Sequence, residues 1–385
     1  MESQKKRTWA EVSMEKLAHN YHALRQLTPY GTKFMGLVKA DAYGHGAVPV
    51  AKKLEELGAD YLGVACLDEA IELREAGIQA PILILGCTPS FYGKELMQYN
   101  ITQACYDLSY AKALSAEAQS AGGTITVHIQ CDTGMTRLGF LCDEAHMTQS
   151  AQEITEAVRL PGLHAEGIFT HFSDSDGSEE YTMMQFNRFL DIIQKVKELG
   201  YEFAIRHCAN TGAVARYPET YLDMVRPGLL LYGYGEFAEE LNLKPVMSLK
   251  AAVSTIKTYP AGTAISYGGI YVTPHKTRIG VIPYGYADGF FRCLSNKCSI
   301  MTAEGPAPQR GKICMDMCMI DLTDKMGVDV GSEVEIFGKQ NSINDLAALA
   351  GTIPYELTCA VSKRVPRIYY RDGKAVSYTH LTLPT

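Results

Sequence analysis

Up to about Gly235, short apolar runs alternate with amphipathic helical stretches, and this order limits what the chain can fold into more than any single residue does. Runs of strand length fall at 34–38, 61–65, 81–85, 101–105, 124–130, 163–170, 203–208 and 221–225. Helical segments at 48–57, 68–76, 110–120, 144–158 and 181–199 separate most of them. About eight buried strands interleaved with helices are the pattern of a closed parallel barrel, an α/β fold of the (β/α)8 TIM type. An open doubly wound sheet shares this order, but no GxGxxG follows any of the strands. Ahead of the barrel, 9–12 reads as a short strand, and Ser13 as the N-cap of a helix with Leu17, Tyr21 and Leu24 on one face.

Beyond Gly235 the pattern changes to strands in succession, at 248–258, 277–282, 298–303, 313–322 and 333–337. One helix interrupts them at 343–350, with Ser342 as its N-cap and Asp345 three residues on. The expected division is a barrel domain over 1–240, a mainly β domain over 241–376, and a foreign or frayed tail at 377–385.

Charge and cysteine usage exclude several classes. A net charge of -7 without a long basic run argues against nucleic acid as a partner. The 11 cysteines are irregularly spaced and include no CxxC pair, so neither a disulfide framework nor a metal site is expected. The N-terminus lacks the apolar core of a signal peptide and no run approaches a membrane span, so a cytoplasmic protein is expected.

The barrel reading predicts where reactive groups should gather, because a barrel enzyme carries them at the carboxyl ends of its strands. Lys39, Arg137, His171, Thr211 and Arg226 all fall at expected strand ends. Lys39 stands where the 34–38 strand stops, ahead of a bend at Gly44 and Gly46. Partial desolvation there would favour a nucleophilic amine, although a lysine snorkelling from a core strand fits the same residues. Arg137, in DTGMTRLGF, suits paired hydrogen bonds to a carboxylate or phenolate, or a surface ion pair. His171, in IFTHFSDSD, read alone is more often a core histidine than a catalyst. Thr211 and the backbone N–H groups of Gly228 and Leu229 lie in the loops after the last two strands, where barrels often bind phosphate. Gly228 could equally be a turn after Pro227.

VKADAYGHG, residues 38–46, closely resembles the VKANAYGHG signature of the alanine racemases, and the resemblance extends over roughly residues 7–375. It implies the same barrel and β-domain plan, with pyridoxal 5′-phosphate (PLP) held covalently by Lys39. It also implies a homodimer interconverting L- and D-alanine, the latter for peptidoglycan. The resemblance places Arg137 between the cofactor's phenolic oxygen and the substrate carboxylate, and packs His171 against the pyridine ring. It sets Arg226, in MVRPG, against the pyridine nitrogen with His207 beside it; by itself Arg226 could be a structural ion pair. Arginine cannot accept a proton at neutral pH, so the ring would be a weaker electron sink than one facing an aspartate. Tyr43, Asn210, Thr211, Gly228, Leu229 and Tyr355 are the implied remainder of the cofactor site.

The resemblance also makes Tyr267, in AISYGGIY, the second base, reaching in from the other subunit. Without it Tyr267 would be one packing tyrosine among 23. Tyr286, in PYGYADGF, would narrow the entrance, and the backbone N–H of Met315, in KICMDM, would touch the substrate carboxylate. Three positions depart from the family. Gln130 stands where many relatives carry a carbamylated lysine that steadies the arginine matching Arg137. It cannot supply that charge; a hydrogen bond from the amide, or a chloride, would be the alternatives there, and either would alter the arginine's setting. Thr136 stands where glycine is common, and Thr211 where serine is.

Two other functions fit parts of the chain. A serine racemase would use the same scaffold, and ILILGCTP and HFSDSD resemble the serine racemases of vancomycin resistance. A PLP-binding carrier would hold the cofactor on Lys39 without turnover, but would have no use for Tyr267 or Met315.

Overall fold

A computed structural model describes residues 7–376. The expected tail at 377–385 lies outside the described residues. The chain divides into two compact units. One comprises 21–42 and 47–231; the other takes the described residues up to Asn20, the short piece 43–46, and those from Tyr232 onward.

The first unit is the barrel. Its eight parallel strands are, in order, Lys33–Leu37, Tyr61–Val64, Ile82–Ile84, Thr102–Cys105, Ile125–Asp132, Leu163–Thr170, Ile205–His207 and Met224–Val225. Each pairs with its predecessor as far as the seventh, and the eighth pairs with the first through Met224↔Lys33 and Val225↔Phe34. Backbone hydrogen bonds from Asp223 to Arg206 and from Arg226 to Ala209 cross the remaining seam. All eight runs marked in the sequence contain strands, each within a few residues of its expected limits; most of their residues are buried, though Thr102–Cys105, Ile125–Asp132, Leu163–Thr170 and Ile205–His207 also carry polar side chains. A short helix at Gly93–Gln98 was not anticipated; it carries only six residues and no strong period.

The second unit is mainly β. A seven-stranded sheet runs in the order Gly305–Pro308, Ser299–Thr302, Glu333–Phe337, Met247–Ala252, Thr8–Ser13, Arg367–Arg371, Lys374–Val376. Thr8–Ser13, which precedes the barrel in sequence, is an interior strand here, antiparallel to Met247–Ala252 and parallel to Arg367–Arg371. Trp9, Ala10 and Val12 along it are buried.

The apolar run 248–258 is two strands rather than one. At Val253 and Ser254 the backbone leaves the large sheet, and Ser254 donates to Val281 of a three-stranded sheet made by Thr255–Tyr259, Thr277–Ile282 and Cys318–Asp321. The run 313–322 likewise yields a strand only at Cys318–Asp321. Its first half is held as a loop, the Cys314 and Met315 carbonyls accepting the N–H groups of Tyr286 and Ala287. The helix Ile343–Ala350 forms as expected, with Ser342 accepting the Asp345 N–H. No helix of the described residues is long and apolar enough to cross a membrane.

Candidate active site

Lys39, half-buried, lies two residues past the end of the first barrel strand. The turn it opens is left-handed: Ala40, Asp41, Ala42 and Tyr43 have φ of 52°, 53°, 52° and 53°. Left-handed helical backbone costs an L-residue roughly 1–2 kcal/mol, so four in succession persist only where their surroundings enforce them, as at functional sites. Glu69 supplies part of that enforcement. Its carboxylate accepts the Ala40 N–H at 2.6 Å and the Ala65 N–H at 2.8 Å, tying together the ends of the first and second strands. Asp41 accepts the Ala47 N–H at 2.7 Å.

A second loop after the fifth strand presents Arg137. The Asp132 carboxylate organises it, accepting the backbone N–H groups of Gly134, Thr136 and Arg137 at 3.0, 3.0 and 3.1 Å. Tyr181 and Arg188, on the helix Glu179–Glu198, brace the loop through the carbonyls of Gly134 and Thr133. Thr136 has φ 56°, a left-handed conformation that glycine, the residue the resemblance leads one to expect there, adopts without strain. The Arg137 guanidinium is exposed and makes no hydrogen bond among the described residues. Gln130, two residues before Asp132, is buried, and its Oε1 has no hydrogen-bond partner among the described residues.

His171 directly follows the sixth strand and Arg226 the eighth. Burial, reinforced by the charges of Arg226, Arg137 and Lys39, lowers His171 to about 3 and keeps its imidazole neutral. Arg226 is almost wholly buried. Its Nη1 donates to His207 Nδ1 at 2.7 Å, and its Nη2 donates to the carbonyls of Thr170 at 2.8 Å and Cys208 at 3.2 Å. Nε and the second N–H of Nη1 make no hydrogen bond among the described residues, and Nε is not sealed in by protein. Burial lowers even this guanidinium, to about 10, which leaves it charged at neutral pH.

After the seventh strand, Asn210 caps the helix Thr211–Arg216 by accepting the Ala213 N–H, and Ser175 donates to the same Oδ1 at 2.6 Å. Thr211 Oγ1 accepts the Gly228 N–H at 2.8 Å, joining the loops after the last two strands, and Leu229 begins the turn that follows. With its Oγ1 accepting from Gly228, the Thr211 hydroxyl still has a proton to donate, and with the Leu229 N–H it forms a donor set that fits a phosphate. With the Lys39 amine and the Arg226 Nε, the barrel residues supply what an aldehyde, a pyridine nitrogen and a phosphate require.

The other expected residues belong to the second unit. The Tyr43 ring lies 5.2 Å from that of Tyr232 and 5.7 Å from that of Tyr355, centroid to centroid. Tyr267 opens a single 3-10 turn after Ser266 and is 68% exposed, beside a cavity of about 430 Å3 that Cys314 and Met319 also line. Tyr286 and Met315 are exposed on paired loops. Asp288, fully buried, organises those loops. It accepts two hydrogen bonds from Arg7, one from Arg364 and one from the Gly285 N–H, while Arg364 also bonds Asp316.

Glu69, Asp132, Asp288, His128 and Glu166 were not singled out in the sequence. Asp132 carried a usable signal, since an aspartate two residues before a glycine is a common turn opener; each of the others owes its role to at least one partner distant in sequence.

A closed parallel barrel with an amine, two arginines and a neutral imidazole collected at its strand ends, joined to a β unit bearing exposed tyrosines, defines a two-domain barrel enzyme. Residues 12–236 match the alanine racemase N-terminal domain and residues 246–369 the alanine racemase C-terminal domain. The chain is similar to the alanine racemase of Desulfovibrio desulfuricans, 44% identical over 366 residues that cover 94% of this chain and 97% of that one. The similarity to the alanine racemase of Clostridium tetani is 43% identity over 378 residues, covering 96% of each. Among solved structures, the alanine racemase of Clostridium difficile 630 superposes with a TM-score of 0.91 at 40% identity, covering 96% of this chain and 97% of that one. The Bacillus anthracis alanine racemase with bound L-Ala-P gives 0.90 at 33% identity, covering 97% of each. The chain belongs to the alanine racemase family.

Proposed function

We propose that the chain is an alanine racemase, an isomerase interconverting L- and D-alanine with PLP held on Lys39. The observation that carries this reading is the convergence of the Lys39, Arg137 and Arg226 charges around a neutral His171 at the carboxyl ends of the barrel strands. When bound, PLP supplies an electron sink that makes the substrate's α-proton removable.

The chain's own residues then have distinct tasks. Arg226 points a donor at the pyridine nitrogen and cannot take a proton there, which keeps the sink weak and restrains side reactions. Thr211, its helix fixed by Asn210, and the loop residues Gly228 and Leu229 would hold the phosphate, the role in which the resemblance also enlists Tyr43 and Tyr355. His171 packs against the ring as a neutral imidazole. Arg137 clamps the substrate carboxylate, assisted by the Met315 N–H, and Tyr286 narrows the approach.

Racemisation needs a base on each face of the α-carbon, because a proton removed from one side must return to the other. Lys39 serves one face. The exposed Tyr267, contributed across a homodimer by the partner subunit, serves the other. D-Alanine made in the cytoplasm would be available for peptidoglycan. Borohydride reduction of the PLP-loaded protein, followed by peptide mapping, tests the attachment: the pyridoxyl label should sit on Lys39, and a label elsewhere would end this reading.

A further inference from the structure

The interior of a (β/α)8 barrel is ordinarily filled by branched apolar side chains. Here a continuous polar chain crosses it. Tyr61 donates to Glu166 Oε2 at 2.7 Å, the same oxygen lies 3.2 Å from His128 Nε2, His128 Nδ1 lies 2.8 Å from His207 Nε2, and His207 Nδ1 meets Arg226 Nη1 at 2.7 Å. Both histidines are fully buried, and Arg226 nearly so. Burying such groups is costly unless every one of them is satisfied, so a chain of this length implies a task beyond packing.

Its chemistry permits one direction only. Arginine has no acceptor, so Arg226 must donate to His207 Nδ1. His207 therefore carries its proton on Nε2 and donates to His128 Nδ1. His128 in turn carries its proton on Nε2, and the one group beyond it is a carboxylate, which accepts. Both imidazoles are thereby neutral, in agreement with burial lowering each of them; the Arg226 charge adds to this at both, and at His128 burial outweighs the opposing effect of Glu166. Glu166 is held below the usual carboxylate range, first by the hydrogen bond from His128 and then by that from Tyr61, against the opposing effect of its partial burial.

We infer that His128 and Glu166 are positioning residues for the racemase reaction, fixing the tautomer of His207 so that it always accepts from Arg226 and leaves the guanidinium charged with Nε free for the cofactor. The pair acts through His207 and touches neither substrate nor cofactor. Glu166 anchors the chain at a partly exposed position; without it only the Arg226 donor, two imidazoles away, still holds the direction, and His128 loses the acceptor that keeps its proton on Nε2. His207 could then hold a proton on Nδ1, facing the Arg226 donor, and the guanidinium would have to turn away. The inference rests on the proposed role of Arg226, but the tautomers themselves do not.

Nitrogen-15 spectra of the histidine-labelled protein, with His128→Asn and His207→Asn for assignment, test it before any cofactor is added. In the wild type, His128 and His207 should each show a protonated Nε2 and a bare Nδ1, unchanged from pH 6 to 8. Glu166→Ala should replace that single pattern at His207 by a mixture. In the PLP-loaded enzyme it should lower kcat for alanine about tenfold to a hundredfold with little change in KM. Glu166→Asp, which keeps an acceptor, should restore both. A wild-type His207 protonated on Nδ1 would overturn the inference, as would a Glu166→Ala protein with unaltered His207 signals and unaltered kcat. The wild-type spectrum decides the tautomers even if Glu166→Ala does not fold or the protein does not act on alanine.

Discussion

At Gly44 a methyl group would have to share space with the Thr358 carbonyl oxygen, 2.1 Å from where its carbon would sit, and the backbone there has φ +82°. Gly46 is as constrained, with the Tyr369 hydroxyl 1.8 Å from its would-be Cβ. Gly44→Ala should therefore destabilise the protein by roughly 2 kcal/mol or more, read as a lower midpoint in denaturant-induced unfolding. The stretch containing these glycines was the most legible in the sequence, since VKADAYGHG states both its lysine and its bend. His128 and Glu166 were illegible for a physical reason. Each sits in a strand of mixed polar and apolar residues, and their partners lie 38 to 105 residues away, so only closure of the barrel makes them one chain.

Among the elements, the paired loops around Tyr286 and Met315 depend most on one side chain. Burial by itself would raise the Asp288 carboxyl, but hydrogen bonds from Arg7, Arg364 and the Gly285 N–H outweigh it and leave the group below its ordinary value. A carboxyl lowered in the folded state contributes stability that is present above the unfolded pKa, near ~3.9, and is lost as pH falls through the folded value. Asp288→Asn should cost about 2 kcal/mol at neutral pH and flatten the acid limb of the stability curve below about pH 4, measured by urea unfolding across pH. The barrel strands were legible as elements because each is a short, largely buried run set off by helical segments. The strands of the second unit were less so. A run such as 248–258 stays apolar while its backbone changes sheets, and hydrophobicity carries no mark of where Ser254 turns its N–H to a new partner.

For the whole molecule, the alternation of strands and helices announced the barrel and the succession of strands announced the β unit. The place of Thr8–Ser13 inside the seven-stranded sheet was not visible, because its partners lie more than two hundred residues away. The proposed homodimer makes its own prediction. If Lys39 and Tyr267 of one site come from different subunits, mixing inactive Lys39→Ala and Tyr267→Phe proteins under exchange conditions should regenerate about a quarter of the wild-type sites, since each mixed dimer holds one intact pair. Activity that stays at zero after verified exchange would place both residues in the same subunit. The most direct measurement is chiral analysis of L-alanine incubated with the PLP-loaded protein, beside Lys39→Ala and beside L-serine. The account predicts conversion of L-alanine to an equal mixture of enantiomers by the wild type, none by Lys39→Ala, and slower conversion of serine. L-Alanine left optically unchanged by the wild-type protein would contradict it.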